Sequence, residues 1–266
     1  MNWKCFYHPF FSLSFIVGAI AIWSFPLPTL AQTTSNPSAN RPVAQQSRSR
    51  TSRITFRPPN RGAPPVTSGA ASRGDWGDCT SSSDALTALI PSSTVGLSIS
   101  QEPVLMVYVP ETSATSLELT LENEDGTEVL YRQPLETPSA AGIVQFNLAD
   151  YTSTPLAQGT LYRWYVSLVC DNDDRSRNAV IAGWVEPVAP SAALLNSLQQ
   201  ANPQDRPRLY AEAGIWYDAL QALADLHQSQ PQDAMLTADW QALLQSVGLD
   251  AAIAQAPLIN CCTSTN

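Results

Sequence analysis

The hydrophobic period of the chain changes at Pro190, and that change limits what it can fold into. Before it, over residues 93–188, short apolar runs and every-second-residue patterns dominate. After it, apolar residues recur at spacings of three and four. A period of two belongs to strands with one buried face, and a period near 3.6 belongs to helices with one apolar stripe. The chain therefore reads as α+β by segregation, strands first and helices second.

The strand half is the clearer one. "SLELTLENEDGTEVLYR" (116–132) alternates, with Leu117, Leu119 and Leu121 on one side and Glu118, Thr120 and Glu122 on the other. Asp125-Gly126 is a hairpin turn signal. "TVGLSIS" (94–100), "PVLMVYV" (103–109), "GIVQFNL" (142–148), "GTLYRWYVSLVC" (159–170) and "NAVIAGWVEPV" (178–188) complete a set of seven short strands. Seven strands with regular turns predict an immunoglobulin- or fibronectin-like β-sandwich. Tyr162, ahead of Trp164, Val166, Leu168 and Cys170, has the placing of a tyrosine corner, in which its hydroxyl bonds back to nearby backbone.

The helical half opens with Ser191 as a cap for "AALLNSLQQAN", with Leu194 and Leu198 on one face. Leu209, Ala213, Trp216, Leu220, Leu223 and His227 make one stripe, which Tyr210, Tyr217 and Ala224 widen. Gly214 allows a turn within it. Thr237 is the expected cap of "ADWQALLQSVG", and Gly248 its stop. "YAEAGIWYDALQALADLHQSQP" (210–231) has the look of one tetratricopeptide-like helix pair. A single such pair cannot bury its own apolar face. We expect that face to pack on Trp240 and Leu244 or on the sandwich. The alternative is docking to a partner, with Trp216 and Tyr217 as the partner surface.

The amino-terminal sequence carries an address. Lys4 is the only formal charge before Arg41, and Phe10 to Trp23 is an apolar run of 14 residues. That is short for a bilayer span and suited to a signal sequence, with cleavage expected after Ala31 and an uncleaved anchor as the alternative. The organisation expected is a signal peptide over 1–31, a disordered basic linker over 32–53, an extended Pro/Gly-rich arm over 54–92, the sandwich over 93–188, the helical segment over 189–258 and a disordered tail over 259–266. The protein is expected to be exported, to the periplasm, the cell surface or beyond. The mature chain should hold no transmembrane segment.

Export favours disulfides. Cys5 leaves with the signal, and Cys79, Cys170, Cys261 and Cys262 remain. Four cysteines allow three connectivities. We expect Cys79 to bridge to Cys170; adjacent Cys261 and Cys262 pair only in a strained ring and are expected to be free or to cross-link chains. Charge is lopsided too. Residues 32–74 hold seven arginines and no acid, while residues 75–266 hold six arginines against all 23 acids, a net of −17. The basic arm reads as a solvated spacer, as a segment folded back on the body, or as a contact for an anionic envelope surface. The acidic body argues against nucleic acid as a partner.

Candidate chemistry is sparse. His227 is the mature chain's only histidine, and Asp225, two residues away, faces elsewhere on a helix. A catalytic base needs a nucleophile and an orienting acid in space. "DNDD" (171–174) has the acids for calcium, but Arg175 stands where a third ligand belongs, so a polar turn is expected. The chain has no phosphate loop, GxGxxG, GxSxG or HExxH. No cofactor, metal site or catalytic residue is expected.

Four separated stretches in one order carry a family resemblance. "ITFRPPNRGAPPVTSGAASRGDWGDC", "GTLYRWYVSLVCD", "AGWVEPV" and "YAEAGIWYDALQALADL…DWQALLQSVGL" together resemble the cyanobacterial family called domain of unknown function 928, over about residues 54–258. The resemblance implies an exported protein without assigned activity and supports pairing Cys79 with Cys170. The function expected is a non-enzymatic interaction or scaffold module of the envelope. One alternative is an envelope-polysaccharide binder using Tyr165 or Trp76 as a stacking platform. A carboxylate-based hydrolase is the other.

Overall fold

The strands, in chain order, are β1 (Thr87–Ala88), β2 (Gly96–Ser98), β3 (Val104–Val109), β4 (Ser116–Asn123), β5 (Val129–Leu135), β6 (Gly142–Asn147), β7 (Tyr162–Val169) and β8 (Ala179–Pro187). Five helices follow: α1 (Ala192–Gln200), α2 (Arg206–Glu212), α3 (Trp216–Ser229), α4 (Ala234–Gln245) and α5 (Ala251–Gln255). A last strand, β9 (Leu258–Ile259), ends the described chain. This computed structural model describes residues 53–62, 79–80 and 85–259. The expected signal peptide, most of the expected basic linker and the carboxyl-terminal cysteines lie outside those residues.

The chain is α+β, with two mixed sheets. One runs β1-β3-β6-β9 and the other β2-β8-β7-β4-β5. β2 lies parallel to β8 and β9 parallel to β6, and the remaining pairs are antiparallel. The described residues thus hold nine strands rather than seven. β1 and β9 are two residues each, too short to show a period in the sequence. β9 also corrects the reading of the carboxyl end, because Leu258 and Ile259 return to pair with Ile143 and Val144.

Alternation sets the inner face of the five-stranded sheet. Leu117, Leu119 and Leu121 are fully buried and stand opposite Leu168, Val166 and Trp164 of β7. Each such side chain contributes about 1.5–3 kcal/mol relative to exposure. The β4–β5 turn is closed by Asn123, whose Oδ1 accepts from the amides of Thr127 (2.9 Å) and Glu128 (3.1 Å). Ala157 N–H donates to the Tyr162 hydroxyl at 3.0 Å, the bond expected of a tyrosine corner. Cys79 and Cys170 are bonded, with their Cα atoms 5.2 Å apart across a separation of 91 residues. Closing a loop of that length is worth roughly 4–5 kcal/mol in the chain-entropy model.

The helices pack against both sheets. Leu194 and Leu198 of α1 join Val95, Leu97, Trp184 and Ile215 in a small second core. The buried residues of α3 and α4 belong to the main core with β3, β4 and β7. Ser191 caps α1 as expected, its hydroxyl accepting from Leu194 N. The cap of α4 is corrected. Asp233, not Thr237, accepts from the amides of Met235 and Leu236, and Thr237 instead donates to Asp233 O from inside the helix. The helix starts a turn earlier than its apolar stripe, which the stripe alone could not show.

Candidate functional site

Gly214 shapes the helical surface. Its φ of +76° ends α2 and turns the chain into α3. The expected single stripe is therefore two. Trp216, Leu220 and Leu223 are buried, while Leu209 and His227 are only partly covered and Ala213 is exposed. Ala213 lies beyond the end of α2, so helical spacing no longer governs where it points.

Residues 53–62 lie across α2, α3 and α4 as a strap without helix or strand, with a bend at Asn60 and Arg61. Its side chains alternate. Arg53, Thr55 and Arg57 face solvent, and Ile54 and Phe56 are 2 % and 7 % exposed. Phe56 meets Trp216 edge-to-face, with centroids 5.0 Å apart at 79°. Phe56 N donates to Ser246 Oγ at 2.9 Å, and Arg57 N donates to Ala211 O at 3.0 Å. Two reading points for backbone and two apolar anchors are how a groove holds an extended peptide. Gly214 is required here as well. A Cβ at that position would stand 3.1 Å from Arg57 O and 3.2 Å from Pro59 Cδ.

Ion pairs hold the strap at its two ends. Arg61 Nη1 donates to both oxygens of Glu186 on β8, at 2.7 Å to Oε2. Arg53 Nη1 lies 3.8 Å from Asp239 Oδ1 on α4. Asp239 is 1 % exposed, and its Oδ2 has no hydrogen-bond partner. Of the arm's readings, folding back on the acidic body is the one these residues display. Arg41, Arg48, Arg50 and Arg73 lie outside the described residues.

Trp216 and Tyr217 do not form an exposed surface, and Phe56 of the strap covers the Trp216 ring. Both are essentially unexposed, at 0 % and 1 %. Trp216 Nε1 donates to Leu89 O at 2.8 Å. Trp164 Nε1 donates to the Tyr217 hydroxyl at 2.9 Å, which donates in turn to Trp184 O at 2.8 Å. Gly96 leaves room for the ring, since a Cβ there would fall 2.5 Å from Tyr217 Cε2. Burial pushes the Tyr217 hydroxyl well above its ordinary pKa, and the bond from Trp164 pulls it back only partly. The first two positions of α3 are thus keys seated in the sheets, because the helix begins where it meets β2 and β3.

The remaining nominated residues serve local structure. His227 Nε2 is 3.4 Å from Thr237 Oγ1, and its ring lies 6.2 Å from that of Trp240. Asp171 accepts from the amides of Asp173 and Asp174, and Asp174 caps the short turn that contains Arg175. The bond from Ser176 lowers the Asp174 pKa. Tyr165 is partly covered on the outer face of the five-stranded sheet, with the Arg163 guanidinium 4.7 Å from its ring and 5.3 Å from that of Trp184. Trp76, Cys261 and Cys262 lie outside the described residues. Among the described residues no group of three His, Cys, Asp or Glu is placed to hold a metal, and no helix is long and apolar enough to cross a membrane.

Sequence reasoning missed Asp218, Asp239 and the strap. Asp218 of α3 accepts from Ser98 Oγ at 2.8 Å and Ile99 N at 3.0 Å, tying the helix to β2. Burial raises its pKa, against the pull of those two bonds. The strap did leave a signal, a polar–apolar alternation over Arg53 to Arg57. The prolines and glycines after it made the stretch read as an extended arm, with folding back on the body one of three readings and its partners unnamed.

These features define a disulfide-tied α+β protein whose helical layer grips an extended segment of its own chain. The chain belongs to the family described as Domain of Unknown Function (DUF928), whose model matches residues 68–258. The groove on α2–α4 lies inside that stretch, and the strap lies outside it. No curated protein and no solved structure matches the chain.

Proposed function

We propose that the protein is a non-enzymatic interaction module of the cell envelope. The observation that carries this reading is the groove, which already binds an extended segment through backbone contacts, apolar anchors and charge. The two sheets serve as scaffold. Their order, with β1-β3-β6 in one and β8-β7-β4-β5 in the other, supports an immunoglobulin- or fibronectin-like winding. α2 and α3 are the tetratricopeptide-like pair, and β-strands rather than further repeats cover their apolar side. The Cys79–Cys170 bridge and the apolar run from Phe10 to Trp23 support export into an oxidising compartment. Photo-reactive side chains at the exposed apolar positions Val180, Leu195 and Met235 test the reading in living cells. A discrete cross-linked protein is the expected result. Recovery of the chain free of adducts at all three positions, in an envelope fraction, would overturn it.

A second reading has one observation in its favour. Arg163 and Tyr165 form a partly exposed cation–aromatic pair on the outer face of the larger sheet, beside the buried Trp184, a surface type that suits envelope polysaccharide. A glycan array should then show hits that Tyr165→Ala removes.

A further inference from the structure

The strap fits its groove unevenly. At Phe56 the fit is close, with an aromatic contact and two backbone hydrogen bonds beside it. At Asp239 it is poor. That carboxylate is 1 % exposed, yet Oδ2 bonds to nothing and Oδ1 faces an arginine nitrogen at 3.8 Å. The same nitrogen is 4.0 Å from Met235 Sδ, and the arginine side chain is 49 % exposed. A buried carboxylate is stable when a cation comes within hydrogen-bonding distance of both its oxygens, and arginine does this best through two parallel N–H bonds. Arg53 does not achieve it. The groove therefore offers more to a ligand than its own strap takes up.

We infer that the α2–α4 groove is a recognition site for an extended peptide segment of a partner protein, carrying a basic side chain three residues before an aromatic one. The strap is an internal stand-in for that segment and keeps the groove closed until the partner displaces it. Asp239 is the charge anchor, Trp216 the wall of the aromatic slot, and Ser246 and Ala211 O the backbone readers. The inference rests on the interaction-module reading and names the ligand class of that site. Because a tethered strap has a high local concentration, the displacing segment must gain elsewhere, and the unpaired Asp239 oxygen is where it gains.

The test uses the full chain and a fluorescent peptide with the sequence of residues 49–60, read by anisotropy. Wild type should bind weakly, because its groove is occupied. Phe56→Ala, which loosens the strap, should bind the peptide at least about tenfold more tightly. Arg61→Ala frays the strap at its far end, outside the groove, and gives the same direction of change if Phe56→Ala fails to fold. On either background, Asp239→Asn in the protein or Arg53→Ala in the peptide should weaken binding by up to about fivefold. Equal binding by wild type and by release variants with native near-ultraviolet circular dichroism would overturn the inference. So would equal binding of a peptide lacking both Arg53 and Phe56. Strap-to-groove cross-links between two copies of wild type would assign the groove to self-exchange and overturn the partner claim. Failure on any of these counts leaves the in-cell cross-linking result untouched. Peptide binding without any in-cell adduct would sink the envelope-module reading alone.

Discussion

The helices meet the rest of the molecule across two junctions of opposite character. Behind them, Trp216 and Tyr217 enter the sheets with both rings closed from water and every polar atom paired, to Leu89 O, Trp184 O and Trp164 Nε1. In front, the strap lies on the same helices with a half-exposed arginine at 3.8 Å from a carboxylate that keeps one oxygen unpaired. Closed packing with full hydrogen bonding makes a junction costly to open. The front junction is closed at Ile54 and Phe56 but under-satisfied at Arg53, so it is the Arg53 end that opens at least cost. The difference separates what holds the fold from what is free to change.

The sharpest way to break that contrast is Trp216→Ala. It removes a ring that seats in the rear junction and also meets Phe56 of the strap, and it leaves Leu89 O without its donor. We expect a loss of about 3–5 kcal/mol in urea unfolding, and a loss below about 1 kcal/mol would show that the rear junction is no tighter than the front. Tyr217→Phe keeps the ring and removes only the hydroxyl. Trp164 Nε1 then lacks its acceptor and Trp184 O loses the hydroxyl, and the expected cost is about 1–3 kcal/mol by the same measurement. At the front, Arg53→Ala should change global stability by no more than about 1 kcal/mol. It should still speed hydrogen exchange at the amides of Phe56 and Arg57 while leaving those of β7 unchanged. A change at β7, or none at the strap, would count against two separable junctions.

The smallest effect lies in pH. Burial holds the carboxyl of Asp218 above its ordinary value despite bonds from Ser98 and Ile99. A group raised in the fold contributes stability that is complete below its unfolded pKa and is lost as pH rises through its folded one. Wild type should therefore lose ground to Asp218→Asn as pH climbs from the ordinary carboxyl range through the elevated one. Parallel unfolding midpoints from pH 4 to 7 would place that tie among neutral packing contacts.

Legibility followed the strength of local pattern. Leu117 to Leu121 and Tyr162 to Leu168 announced their strands because a two-residue period sustained along an eight-residue element fits a strand and no helix. The bridge between Cys79 and Cys170 was readable from the count of cysteines and the placing of the other two. Trp216 and Tyr217 were nominated as a surface because a single tetratricopeptide-like helix pair cannot bury its own apolar face. They are both buried since the start of α3 is enclosed by β2 on one side and the strap on another. Asp239 looked like one more polar position on α4, and only tertiary structure reveals a carboxylate with an unpaired oxygen. The strap stayed hidden because of its length and its distant partners. Five alternating residues carry too weak a signal beside two prolines, and their partners at Ala211 and Ser246 are more than 150 positions away.

β9 has a consequence for biosynthesis. Ile143 finds its neighbour Leu258 only when nearly all of the polypeptide has left the ribosome. The edge of β6 thus waits bare through the translation of five helices, and a chain stopped short of Leu258 would emerge with that edge open to any passing strand.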